Sequence, residues 1–126
     1  MADAMTVRRT ALDWLSDIVE WGNRLDKHLA GVNWESFLDS PLLQDATSKC
    51  AEAVGEAAGQ LLEIDPDLDT AYPDLQLRLA FMSRNKLSHG YYTIDTAILW
   101  ATVSEAIPRT VAAARKVIRD RDGSAG

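Results

Sequence analysis

Within Ser83–Asp95, the stretch SRNKLSHGYYTID gathers Arg84, Asn85, Lys86, Ser88, His89, Tyr91 and Tyr92. A helix that only fills a core has no use for such a cluster. An imidazole near its ordinary pKa of about 6.5 takes or gives a proton at neutral pH. An arginine grips a phosphate with a planar fork and stabilises charge growing on it. Together they suit the cleavage of RNA by its own 2′-hydroxyl, because the substrate then supplies the nucleophile. Lys86 is the candidate contact to the RNA backbone.

Other chemistries are poorly provided for. A di-metal bundle needs Glu-x-x-His pairs, but the residues three before His89 and His28 are Lys86 and Leu25. A zinc site needs more Cys and His than one cysteine and two histidines. No phosphate loop or Gly-x-Gly-x-x-Gly is present, so neither a metal nor a cofactor is expected. Cys50 falls in an apolar stripe, and Ser88 alone among the serines has a neighbouring base, His89.

Geometry constrains the cluster. At about 100° per residue, Arg84 and His89 point about 140° apart on one helix. Asn85 and His89 are four apart and share a face, so the amide can orient the imidazole. A site then forms either where the helix ends, at Gly90, or where two copies each bring an Arg and a His to one groove.

The elements around the cluster read as all-α. Thr6 is expected to cap a first helix running to about Ala30 and stopping at Gly31. Its stripe is Ala11, Leu15, Ile18, Gly22, Leu25 and Leu29, with Trp14 and Trp21 flanking it as packing residues. His28 is expected at the surface by that helix's C-terminus. Asn33 to Leu38 adds a short turn. Ser40-Pro41 starts a second helix with the stripe Leu43, Ala46, Cys50, Val54, Ala57, Leu61 and Ile64, ended by Asp65-Pro66. Gly55 and Gly59, one turn apart, permit close approach of another helix. Glu56 between them is either an ordinary exposed glutamate or part of the site.

DPDLDTAYPD is expected as an acidic loop. Asp74 then caps a third helix through Leu75, Leu79, Met82 and Leu87 to about His89. Asp95 caps a fourth, Thr96 to Ile107, which kinks or breaks at Pro108. A basic helix follows from Arg109 to about Arg119, and residues 120–126 are expected to fray. The expectation is one domain over residues 1–126, ordered over about 6–119: an antiparallel bundle of four to five helices.

Charge is segregated. Net charge is −6. Residues 1–74 carry 5 Lys/Arg and 15 Asp/Glu, whereas residues 75–119 carry 7 and 2. A polyanion can be attracted locally to the second segment; a solvated basic helix face accounts for the same numbers. No apolar run approaches the roughly 18 residues of a membrane span, and the N-terminus lacks a signal-peptide layout. A single cysteine excludes an internal disulfide. The expectation is a cytoplasmic protein.

The run Arg84-Asn85-Lys86-Leu87-Ser88-His89-Gly90-Tyr91 resembles the Arg-x4-His signature of HEPN ribonucleases. With Tyr91 two positions after the histidine, it resembles the HepT toxin branch in particular. SFLDSPLLQDATSKCAEAVGEAAGQL and HGYYTIDTAILWATVSEAIP resemble the segments before and after that motif, so the likeness covers about residues 10–118. The resemblance implies a HEPN-like helical homodimer with Arg84, Asn85 and His89 at the dimer cleft. It implies metal-independent endoribonuclease activity in a type VII-like toxin–antitoxin pair. It also implies a cognate MntA-like nucleotidyltransferase antitoxin that adds AMP to Tyr91. The alternative it leaves open is a catalytically silent HEPN protein that binds nucleotide or positions substrate for a nucleotidyltransferase.

Overall fold

A computed structural model describes residues 8–88 and 95–125. All of the regular structure in those residues is helical. Helix α1 (Ala11–Leu29) begins at a reciprocal capping box: the Thr10 hydroxyl accepts from the Asp13 amide, and the Asp13 carboxylate accepts from the Thr10 amide. The described helix is therefore capped at Thr10; Thr6, the expected cap, lies outside the described residues. The helix ends before Gly31, whose φ of 72° is a left-handed conformation that glycine adopts without strain. Helix α2 (Trp34–Leu38) is capped by Asn33 in the same reciprocal way, with Ser36. Helix α3 (Pro41–Ile64) starts from the Ser40 cap with Pro41 in its first turn, as the sequence implied, and ends at Asp65.

The expected acidic loop is instead structured. It contains the short helix α4 (Asp67–Ala71) and a 3-10 turn, Pro73–Leu75. Gln76 follows with φ 46°, and only then does α5 (Leu77–Ser88) begin. Asp74 is thus not its cap. The Asp69 carboxylate, eight residues back in sequence, accepts from the Leu77 amide at 3.1 Å. This later start rotates the buried face. Leu75, Leu77 and Ala80 are buried, whereas Leu79 and Met82 are more than half exposed.

Helix α6 (Thr96–Ala101) is capped by Asp95, whose carboxylate accepts from the Ala97 amide. It runs through one wide π turn, Thr102–Ala106, into α7 (Ile107–Ala125). Pro108 therefore does not break the chain. A proline leaves an upstream carbonyl without its donor, and the turn preceding it is re-registered, with the Ile107 amide donating to the Thr102 carbonyl. Helix α7 also continues past Arg119, the end expected for it.

The four principal helices α1, α3, α5 and α7 enclose one apolar core of Leu15, Ile18, Phe37, Val54, Leu61, Leu75, Val103, Val117 and their neighbours. The all-α, HEPN-like bundle read from the sequence is the observed architecture. Thr110 is a buried polar group in it, and its hydroxyl donates to the Leu75 carbonyl at 2.8 Å, tying α7 to the turn before α5.

Two glycines set the α3–α5 spacing. A Cβ on Gly59 would lie 2.5 Å from the Phe81 ring. A Cβ on Gly55 would lie 2.2 Å from the Arg84 Cβ and 2.6 Å from the Ala80 carbonyl oxygen. Backbone cannot swing aside as a side chain can. Gly55→Ala should therefore push the helices apart and cost about 1–3 kcal/mol, read from urea unfolding. An unchanged midpoint would show that the helices can separate freely there.

Candidate active site

The close approach at Gly55 decides where Arg84 sits. Its Cβ is pressed against the Gly55 backbone, so its side chain must run along α3 rather than out from it. The next residue on α3 is Glu56, and its carboxylate lies 3.0 Å from an Arg84 terminal nitrogen. The other terminal nitrogen donates to the Asn85 side-chain oxygen at 3.0 Å. The Nε is buried and has no partner among the described residues.

A guanidinium carries five N–H donors. One is spent on Glu56, one on Asn85, and one is buried. A single donor remains on each terminal nitrogen. Neither of those two has a partner among the described residues, and the other side of the group is braced. The Arg84 side chain remains about one-third exposed, so an anion can reach it.

Arg84 and Glu56 line one end of an open cleft of 260 Å³ that continues between α1 and α3 past Trp14, Trp21, Lys49 and Glu52. Both tryptophans also pack partly buried against the core, as expected. The Arg9 guanidinium lies 4.1 Å from the Trp14 ring centre and the Arg24 guanidinium 4.4 Å from that of Trp21. Arg9 is held in turn by Asp17 at 2.8 Å.

Of the residues singled out in the sequence, the structure brings Arg84 and Asn85 into contact and places Lys86 exposed on α5. At about 100° per residue, Lys86 points some 160° from Arg84, and it is not part of the cleft. Asn85 was expected to orient His89; among the described residues its oxygen is engaged by Arg84. His89, Gly90, Tyr91 and Tyr92 lie outside the described residues. His28 is exposed in the last turn of α1. Cys50 is buried, and burial pushes its thiol up, away from the thiolate that a nucleophile needs.

Glu56 is the partner that reading the sequence left undecided. The available signal was its place between two glycines one turn apart. Such glycines mark where another helix comes closest, and a charged residue there meets whatever that helix presents.

The described helices brace an arginine at a glycine-lined crossing, five residues before a histidine in the sequence. The chain belongs to the family described as Ribonuclease HepT-like, which it matches over residues 18–117. Curated relatives agree over nearly their whole length. The "Probable ribonuclease HepT" of Thermococcus cleftensis is 31% identical over 102 residues, 81% of this chain and 90% of that protein. "Putative RNase MJ1216" of Methanocaldococcus jannaschii is 27% identical over 116 residues, 92% of this chain and 93% of that protein. "Putative RNase TTE0752" of Caldanaerobacter subterraneus is 25% identical over 111 residues, 88% and 96% of the two. No solved structure matches the chain. No helix among the described residues is long and apolar enough to cross a membrane.

The Arg84–Glu56 pair holds a side chain in position and adds little to the fold. Both partners are partly exposed, so Glu56→Ala should cost no more than about 1 kcal/mol of stability by urea unfolding. A loss of about 3 kcal/mol or more would mean that the pair behaves as a buried one on which the fold depends.

Proposed function

We propose that this protein is a metal-independent endoribonuclease toxin that acts through Arg84 and His89 at a homodimer cleft. The observation that carries the reading is the state of Arg84: a guanidinium braced by Glu56 and Asn85, with two donors unpaired among the described residues, five residues before the histidine, in a chain of the HepT-like ribonuclease family.

The chemistry follows from those groups. The 2′-oxygen of a ribose attacks the adjacent phosphorus. Its proton passes to one imidazole, and the bond to the next nucleotide's 5′-oxygen breaks as that oxygen gains a proton. The products are a 2′,3′-cyclic phosphate and a 5′-hydroxyl. The two free donors of Arg84 bind the non-bridging oxygens, where charge accumulates. Asn85 holds the guanidinium and, through its amide nitrogen, the His89 ring. Lys86, pointing away from the cleft, adds charge along the approach of the RNA backbone.

One subunit offers one such histidine, whereas the reaction takes a proton at one oxygen and gives one at another. A homodimer supplies both from a shared groove. Leu79 and Met82 on α5 and Ile98 on α6, each more than half exposed, give such an interface apolar surface to cover. We place the protein in the cytoplasm, in a type VII-like pair with an MntA-like nucleotidyltransferase antitoxin. In this reading the antitoxin transfers AMP from ATP to the Tyr91 oxygen and releases pyrophosphate. The added phosphate competes for Arg84, and the nucleoside fills the space the RNA needs.

Arg84→Ala and His89→Ala should each lower cleavage by about 10²-fold or more with the helix content intact. Glu56→Ala should lower kcat more than it changes KM, and Glu56→Gln, which keeps an oxygen for Arg84, should retain most of the rate. Activity should survive EDTA and leave cyclic-phosphate ends. Loss in EDTA with recovery in magnesium or manganese would overturn the mechanism.

Co-expression with the cognate nucleotidyltransferase should yield an inactive protein carrying AMP on Tyr91, detected by mass spectrometry. Tyr91→Phe should cleave RNA and escape silencing. An inactive wild-type protein with no adduct on Tyr91 or Tyr92 would mean that the partner inhibits by binding alone.

A further inference from the structure

A second concave surface lies away from the Arg84 cleft. It is a groove of 460 Å³ between α7 and the segment that includes Tyr72 and the 3-10 turn. Arg109, Ala112, Lys116 and Arg119 follow at spacings of three, four and three, so they share one face of α7. The alanines leave a shallow floor between long cationic side chains. From Arg109 to Arg119 the face runs about 15 Å, enough for more than one phosphate of a nucleic-acid strand. Tyr72 forms part of the opposite wall.

The charge of this groove is only partly spent. Lys116 pairs with Asp120 at 3.2 Å, and the Tyr72 hydroxyl donates to the same carboxylate at 3.1 Å. Those two donors hold the Asp120 carboxyl below its ordinary value. Arg119 adds only a longer-range attraction to Asp120. Arg109 makes no ion pair or hydrogen bond among the described residues. Three cations against Asp74 and Asp120 leave one positive charge over, in a chain whose net charge is −6. A cationic groove with an aromatic wall suits a single strand, whose phosphates meet the cations while a base stacks on the ring. Tyr72 packs partly against the core and stays part-exposed in the groove wall.

We infer that this groove binds the phosphodiester backbone of single-stranded RNA through Arg109, Lys116 and Arg119, as a site for the substrate apart from the Arg84 cleft. The inference rests on the ribonuclease reading for its choice of ligand. It assigns the groove to affinity and leaves the chemistry to Arg84 and His89.

The test uses the full chain with Arg109→Ala and Arg119→Ala combined. Both residues are exposed and alanine favours helix, and circular dichroism checks the fold. The probe is a 2′-O-methyl oligoribonucleotide, which cannot attack its own backbone. Losing two phosphate contacts should reduce the slope of log affinity against log salt by about 1.4, and weaken binding about tenfold or more near 0.1 M salt. Cleavage of a dinucleotide, too short to reach the groove, should be unchanged. An unchanged slope overturns the inference. So does an unchanged slope accompanied by loss of binding to the nucleotidyltransferase partner, which would assign the groove to a protein. A wild-type chain that binds RNA with this groove-dependent slope but never cleaves it would refute the ribonuclease reading and leave the groove standing.

Discussion

The structure depends on one close contact, the approach of α5 to α3 at Gly55. Without a side chain at that position the Ala80 carbonyl and the Arg84 Cβ come within the space a methyl group would fill. The arginine stem is then trapped between two helices, and only its head is free to choose partners. Glu56 and Asn85 take one donor each and burial takes a third. The glycine therefore does more than permit packing. It converts a flexible, entropically costly side chain into one whose stem is confined between two helices and whose head is held by Glu56 and Asn85.

The rest of the bundle can be understood as support for that crossing. The Thr110 hydroxyl pins the 3-10 turn at Leu75, and the Asp69 carboxylate caps Leu77. These contacts fix where α5 starts and hence which of its residues face α3 seven positions later. A start displaced by one residue would rotate Arg84 by about 100° away from Glu56. Small polar contacts at the beginning of the helix thus control the geometry near its end.

Much of this was legible in the sequence, and the reasons are specific. The caps at Ser40 and Asp95, the stop at Gly31 and the stripes of α1 and α3 follow from local chemistry, and each was observed except at Ile64, the last residue of the α3 stripe, which is 48% exposed. The Gly55–Gly59 crossing was legible because two glycines one turn apart have few other uses on an alanine-rich helix. The start of α5 was not. Asp74 looked like a cap, whereas the chain needed a left-handed residue at Gln76 and a carboxylate from Asp69, a tertiary contact that no local pattern announces. Leu79 and Met82 fall on that helix as expected, on a face that turns outward. The Glu56–Arg84 pair was half legible: the position was conspicuous, but its partner lies on another helix. At Pro108 the rule that proline interrupts a helix was sound, and the interruption was absorbed by one π turn.

The central claim is that Arg84, braced from behind by Glu56, presents its free donors to the phosphate that is cleaved. The most direct measurement is a crystal structure of the protein with an RNA strand carrying a single 2′-deoxy substitution at the cleavage position. The account predicts that the phosphate next to that sugar lies within hydrogen-bonding distance of the Arg84 terminal nitrogens, with Glu56 still bound on the other side. It is contradicted if the phosphate sits elsewhere while Arg84 keeps only Glu56 and Asn85 as partners.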